Sequence, residues 1–341
     1  MVGLKRIAVV FTGGTISMVV DPQAGGAVPA LDGAAILART PGLDRIAEVV
    51  PFDHGRKPAS HWTFPDVVEL AGRIRDLGLD PAIDGVVLVQ GTDTIEESSF
   101  FFDLVIDSPK PIVVTGAMRD ASKPDYDGPD NLRDAVAAAS SDSLAGAGVV
   151  VVLAGTIEPA DDVTKTHTSA LDTFRSLNVG RLGRVEDNRV VLGRQRGERR
   201  PVLVVTRPAE PIHIVTATIA MDPSILDAAA ALDPAGIVVA ATGAGNTSHG
   251  LLAAAERAIE AGIPVVLASR SPSGAAGTGY AFPGGGATWV RAGAMLAGTL
   301  TAPKARIALA VGLGAGLGGA VLAEFLAGPG AGSPTAEAPS R

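Results

Sequence analysis

The residues of this sequence that could do chemistry are threonines set among glycines. Thr12-Gly13-Gly14-Thr15 follows the apolar run Arg6–Phe11, Gly91-Thr92-Asp93-Thr94 follows 85–90, and Thr115-Gly116-Ala117-Met118-Arg119 closes 111–115. Glycine lets a backbone approach a ligand closely and leaves its N–H free to face it, while threonine hydroxyls donate and accept. Together these turns supply a hydroxyl nucleophile, a second hydroxyl, a carboxylate and several backbone amides, a lining suited to a small zwitterion. Each turn also has a plainer reading. Thr15 would cap a short helix, and Thr92-Asp93-Thr94 with Glu96 and Glu97 makes a good helix start, with acids at the positive end of the dipole. The chemical reading rests on the joint appearance of the turns at the strand ends of one sheet.

The elements that must position these turns follow from hydrophobic period. Short Val/Ile/Leu runs alternate with helical patterns, which predicts a parallel α/β sheet buried on both faces. Strands are expected at 6–11, 85–90, 111–115 and 148–153, with helices at 66–77, 94–106 and 129–139. A second set has strands at 212–216, 236–240 and 264–268, a helix at 251–261, and closing helices at 303–310 and 319–326. The stretch 187–210 differs in character, with five arginines between Arg194 and Arg207, two prolines and little periodicity. The expected organisation is therefore a catalytic α/β domain over 1–190, a linker over 191–210, an α/β domain over 211–328 and a disordered tail over 329–341. The first domain is the larger, with a doubly wound, flavodoxin-like sheet; the second is a smaller parallel α/β domain. In such sheets ligands bind beyond the carboxyl ends of the strands, where the threonine turns lie.

Composition narrows the function classes. The 341 residues are 47% hydrophobic and 19% charged, a globular profile, with a formal net charge of −8 and no Lys/Arg run longer than a pair. Nucleic acid is therefore not an expected partner. There are no cysteines, which excludes disulfides and thiolate chemistry. None of the five histidines has metal-ligand spacing, so no metal is expected. The apolar stretch 307–322 falls short of the ~20 residues that span a bilayer and is broken by glycines, so it reads as a buried helix pair. No membrane partner is expected, and the N-terminus reads as a first strand in a cytoplasmic protein.

Four ordered blocks carry a resemblance. Val10-Phe11-Thr12-Gly13-Gly14-Thr15-Ile16 and Val89-Gln90-Gly91-Thr92-Asp93-Thr94-Ile95-Glu96-Glu97 resemble the two signature blocks of the bacterial-type asparaginase/glutaminase family. The segment from Thr115 to Arg119, continued by Asp127-Gly128-Pro129-Asp130-Asn131-Leu132, and Asp162-Val163-Thr164-Lys165-Thr166-His167-Thr168 are similar to two more. Gly243-Ala244-Gly245-Asn246 and Pro303-Lys304-Ala305-Arg306 match features of its second domain, so the likeness runs from about residue 5 to 326. The resemblance implies an L-asparagine amidohydrolase with no cofactor, working through an acyl-threonine intermediate. It implies Thr15 as nucleophile, with Thr92, Lys165 and Asp93 beside it and Asp93 also holding the substrate ammonium. Gly14, Gly91, Ala117 and Met118 fall to the substrate pocket, with the Thr92 and Ala117 backbones flanking the amide. A threonine hydroxyl needs a base within hydrogen-bond reach, and a lysine serves in a proton relay only where its charge is held down. Without the motif, Lys165 would read as a surface lysine.

The sequence departs from the family in three places. The family loop after the first block often carries an activating tyrosine, and 17–32 contains none. The chain has two tyrosines, Tyr126 and Tyr280. Some members resemble this chain in having a tyrosine at the Tyr280 position, which implies Tyr280 as the activator of Thr15; a packing role beside Phe282 is the other reading. Ala59 stands where a carboxylate-binding serine is usual, with Ser60 one position along to replace it. Ser248 stands where some members have an asparagine that reaches across a dimer. The family implies a homodimer or homotetramer. Open alternatives are a mixed glutaminase-asparaginase that also accepts L-glutamine, an amidase subunit of a tRNA-modifying complex, and a non-catalytic amino-acid-binding protein that retains the pocket.

Overall fold

The structure, a computed structural model, describes residues 3–329. The chain divides into two compact units between Gly197 and Glu198. All but the first residue of the tail expected to be disordered lies outside the described residues.

In the first unit the strands are β1 (Arg6–Phe11), β2 (Met18–Asp21), β3 (Gly26–Pro29), β4 (Glu48–Asp53), β5 (Gly85–Val89), β6 (Ile112–Thr115), β7 (Val149–Leu153), β8 (Thr156–Pro159), β9 (Val163–Lys165), β10 (Phe174–Ser176), β11 (Gly183–Glu186) and β12 (Arg189–Leu192). Its helices are α1 (Gly33–Ala38), α2 (Phe64–Leu79), α3 (Ile95–Val105) and α4 (Gly128–Ala139). Eight strands form one sheet in the order β12-β11-β8-β7-β6-β5-β1-β4. The five from β4 to β7 pair parallel, and β8, β11 and β12 extend the sheet antiparallel. Counted among themselves, the parallel strands run second, first, third, fourth, fifth, the flavodoxin-like order expected. β5, β6 and β7 are buried along their whole length, as a strand covered on both faces must be. The apolar core under this sheet includes Val87, Val89 and Val113 from the strands and Leu132, Ala135 and Val136 from α4.

Two features set the crevice. The chain leaves β1 toward β4 and then crosses to β5, so the order reverses between β1 and β5, and a ligand is expected beyond that point. The register also places Phe11 opposite Val89 and Val89 opposite Thr115, so the turns after β1, β5 and β6 emerge side by side. The segment 17–32, expected only as a loop, holds the hairpin of β2 and β3, paired from Met18–Pro29 to Asp21–Gly26.

The second unit has four parallel strands in chain order: β13 (Ile212–Thr216), β14 (Gly236–Ala241), β15 (Val265–Ser269) and β16 (Met295–Thr301). Its helices are α5 (Ser224–Ala230), α6 (His249–Glu260), α7 (Gly286–Arg291), α8 (Ala302–Gly314) and α9 (Gly319–Ala327). The apolar stretch 307–322 falls on α8 and α9, and no helix among the described residues is long and apolar enough to cross a membrane.

Candidate active site

The first turn is built for close approach. Gly14 has φ +88°, and a β-carbon there would stand 2.3 Å from the Gly91 nitrogen, so only glycine lets these two turns touch. Gly91 in turn faces Ala59, whose Cβ would lie 3.2 Å from a β-carbon at position 91. A β-carbon on Gly116 would meet the Gln90 carbonyl at 2.5 Å and the Thr92 methyl at 3.1 Å. The three threonine turns and the segment holding Ala59 thus form one continuous surface.

Thr15 opens a single 3₁₀ turn, Thr15–Ser17, whose N-cap is Gly14. Its side chain is not the cap, and among the described residues the partly buried Thr15 hydroxyl makes no hydrogen bond. It is therefore available to a substrate. Thr12, by contrast, gives its hydroxyl to the Val89 carbonyl at 2.9 Å and is structural. Thr92–Thr94 form a second 3₁₀ turn leading into α3, whose first turn carries Glu96 and Glu97, so the helix-start reading of this block also holds.

Lys165 ends β9 and reaches across to the second turn. Its ammonium donates to Thr92 Oγ1 at 3.1 Å and to Asp93 Oδ1 at 2.7 Å. The Lys165 side chain is 15% exposed and the Asp93 side chain 75%, so the lysine is sheltered while the carboxylate is open to a ligand. The Lys165 backbone N–H donates to Glu96 Oε2 at 3.0 Å, which anchors β9 to α3. Sequence reading gave Glu96 only a helix-start role; its place three residues after Asp93, in the first turn of a helix, was the available signal.

Ala117 is fully buried, and neither its N–H nor its carbonyl has a hydrogen-bond partner among the described residues, as a backbone left for a ligand requires. The Met118 N–H is committed: the Asp127 carboxylate accepts from Met118 N at 3.0 and 3.1 Å and from Arg119 N at 2.8 Å. Asn131, on α4, donates to the Gly116 carbonyl at 3.0 Å and to Asp127 at 2.9 Å. Asp127 and Asn131 stood in the third block without a role; they hold the third turn in shape.

The departures fall as follows. Ala59 is buried and its carbonyl accepts a long 3.4 Å bond from the Thr94 hydroxyl, whereas Ser60 is exposed. Ser248 caps α6, accepting from Leu251 N at 3.2 Å. Tyr280 belongs to the second unit, is half exposed, and sits 6.0 Å from the Phe282 ring, centroid to centroid. Tyr126 donates its hydroxyl to the Ile16 carbonyl at 2.7 Å. Burial, reinforced by the neighbouring Asp127 carboxylate, pushes its phenol up to about 12. No group of three or more His, Cys, Asp or Glu among the described residues is placed to hold a metal ion.

The family profile described as "Asparaginase, N-terminal" matches residues 6–197, and that of the "Glutaminase/Asparaginase C-terminal domain" matches 211–326. A "Probable L-asparaginase" of Deinococcus radiodurans is 38% identical over 324 residues, covering 92% of this chain and 94% of the relative. An "L-asparaginase" of Bacillus licheniformis is 32% identical, covering 90% of this chain and 95% of its own length. A "Glutaminase-asparaginase" of Acinetobacter glutaminasificans is 34% identical over 49% of this chain and 52% of its own.

Proposed function

This chain is an amidohydrolase of the asparaginase family, and on that premise we propose that it hydrolyses L-asparagine to L-aspartate and ammonia through an ester on Thr15. The observation that carries this reading is the bonded set Lys165–Thr92–Asp93 on the turn that touches the Thr15 turn, beside an unengaged Thr15 hydroxyl. A protein that only bound an amino acid would need the Asp93 carboxylate but not a sheltered lysine on a threonine hydroxyl.

The steps balance with the residues present. Thr15 Oγ attacks the side-chain amide carbon and gives up its proton to a neighbouring base. Backbone N–H groups of the glycine turns stabilise the oxyanion, an effect of a few kcal/mol per donor. The carbon–nitrogen bond breaks, and the leaving nitrogen takes a proton through the Thr92–Lys165 pair and departs as ammonia. Water then adds to the β-aspartyl ester, releases aspartate and returns the proton to Thr15. Asp93 keeps one oxygen on Lys165 and offers the other to the substrate ammonium. By the resemblance to family members with a tyrosine at this position, Tyr280 is the proposed activator of Thr15. The reading includes a homodimer or homotetramer acting in the cytoplasm.

A mixed glutaminase-asparaginase that also accepts L-glutamine is the second reading, favoured by the glutaminase-asparaginase relative. The two amides differ by one methylene, worth about 1–3 kcal/mol in a pocket, so the two readings differ in preference and not in reaction type. Ammonia release by the purified protein from each amino acid tests the reading. Faster release from asparagine supports it, and release from neither sinks it.

A further inference from the structure

We propose that Tyr126 is a positioning residue for the nucleophile: by holding the Ile16 carbonyl it fixes the Ile16–Ser17 peptide of the short turn that Thr15 opens. The inference rests on the reading of Thr15 as nucleophile.

The need for such a residue follows from the size of the element. Thr15–Ser17 is one 3₁₀ turn, too short for cooperative helix bonding to hold it. The terminal carbonyls of any helix lack partners within it. Here the Thr15 carbonyl accepts from the Met18 N–H, and the Gly14 carbonyl accepts from the Ser17 hydroxyl at 2.7 Å. The Ile16 carbonyl is served from 110 positions away, by Tyr126 Oη at 2.7 Å.

Tyr126 is itself held firmly enough to do this. Its ring packs on the first-unit core, and a β-carbon on Gly128 would stand 2.4 Å from the ring's Cζ and Oη, so position 128 is shaped around the tyrosine. The same strip of chain is stitched to the hairpin at two more points: Ala121 N donates to the Met18 carbonyl and Val20 N to Ser122 Oγ, both at 2.9 Å. Its neighbour Asp127 clamps Met118 and Arg119, so adjacent residues fasten two different walls of the crevice, the Thr15 turn and the Ala117 turn. With its phenol pushed up to about 12, Tyr126 remains an O–H donor throughout the neutral range. Its proton is spent on a carbonyl, which makes it a support for Thr15 and not a base.

The test compares Tyr126→Phe, which keeps the ring and loses the donor, with wild type, with Thr15→Ala and with Ser122→Ala. Ser122→Ala cuts a neighbouring stitch that does not touch the Thr15 turn. For Tyr126→Phe, kcat on L-asparagine falls about tenfold with KM within about twofold, because a small displacement of the attacking atom lowers the rate without removing a binding contact. The acylation rate in a single turnover falls by the same factor, and Ser122→Ala keeps wild-type kcat. Wild-type kcat in Tyr126→Phe, with Thr15→Ala inactive, overturns the inference and leaves Thr15 standing. An equal loss in Ser122→Ala overturns it too, since the effect would then belong to the hairpin as a whole. An active Thr15→Ala removes the reading on which the inference rests.

Discussion

The Lys165 ammonium donates to the Thr92 hydroxyl at 3.1 Å, joining the end of a three-residue strand to the turn after β5. In the proposed reaction this bond is the proton path beside the Thr15 turn, and the lysine's second partner, Asp93, keeps it oriented.

Replacing Lys165 with methionine keeps the length and apolar body of the side chain and removes the proton. A positioned acid or base contributes about 10²–10⁴-fold, so kcat is expected to fall by that order while the thermal midpoint stays within a few degrees. Steady-state ammonia release with a melting curve checks this, and a kcat within twofold of wild type would count against the path.

Gly14 is where crevice shape and stability meet. Gly14→Ala places a methyl 2.3 Å from the Gly91 nitrogen on a backbone at φ +88°, and overpacking together with left-handed strain is expected to destabilise by about 2–4 kcal/mol and abolish activity. Gly25, in the hairpin turn, has φ +71° with nothing within 4 Å of an added β-carbon. Gly25→Ala should therefore show only the backbone cost, about 1–2 kcal/mol. Urea unfolding of the two variants separates the terms; equal losses would mean that the Gly14–Gly91 contact is not tight.

Tyr126 should be visible by titration. The folded protein holds its proton up to about 12, whereas in the unfolded chain the phenol ionises near 10. The folded state then binds more protons between these values, so this group's contribution to stability is intact below about 10 and is lost as pH rises through about 12. Ultraviolet titration of the native protein should show one tyrosine ionising near 12, absent in Tyr126→Phe, and denaturant midpoints of the variant should fall less steeply above pH 10. A wild-type titration unchanged by the substitution would contradict the assignment.

Much of this was readable in the sequence, and the exceptions have physical causes. β1, β5, β6 and β7 announce themselves as unbroken aliphatic runs because both faces are covered, and the glycine–threonine turns follow at their ends. β4 escaped because it is an edge strand, half exposed and carrying Pro51, which a sheet tolerates at an edge but rarely in its middle. The antiparallel extension β8, β11 and β12 escaped because its strands are four residues long and all three mix charged with apolar residues. In the site, Thr15, Thr92, Asp93 and Lys165 stood out by motif. The roles of Tyr126 and Asp127 did not, since their bonds to Ile16 and Met118 depend on how the chain folds back and no local pattern encodes them.

In the proposed reaction Thr15 carries the acyl group. Rapid quenching during turnover of L-asparagine, followed by peptide mass spectrometry, reads this directly. A β-aspartyl ester is expected on the peptide containing Thr15, with no adduct and no ammonia release in Thr15→Ala. An adduct on Thr92 or any other residue, or a Thr15→Ala variant that turns over as the wild type does, would contradict it.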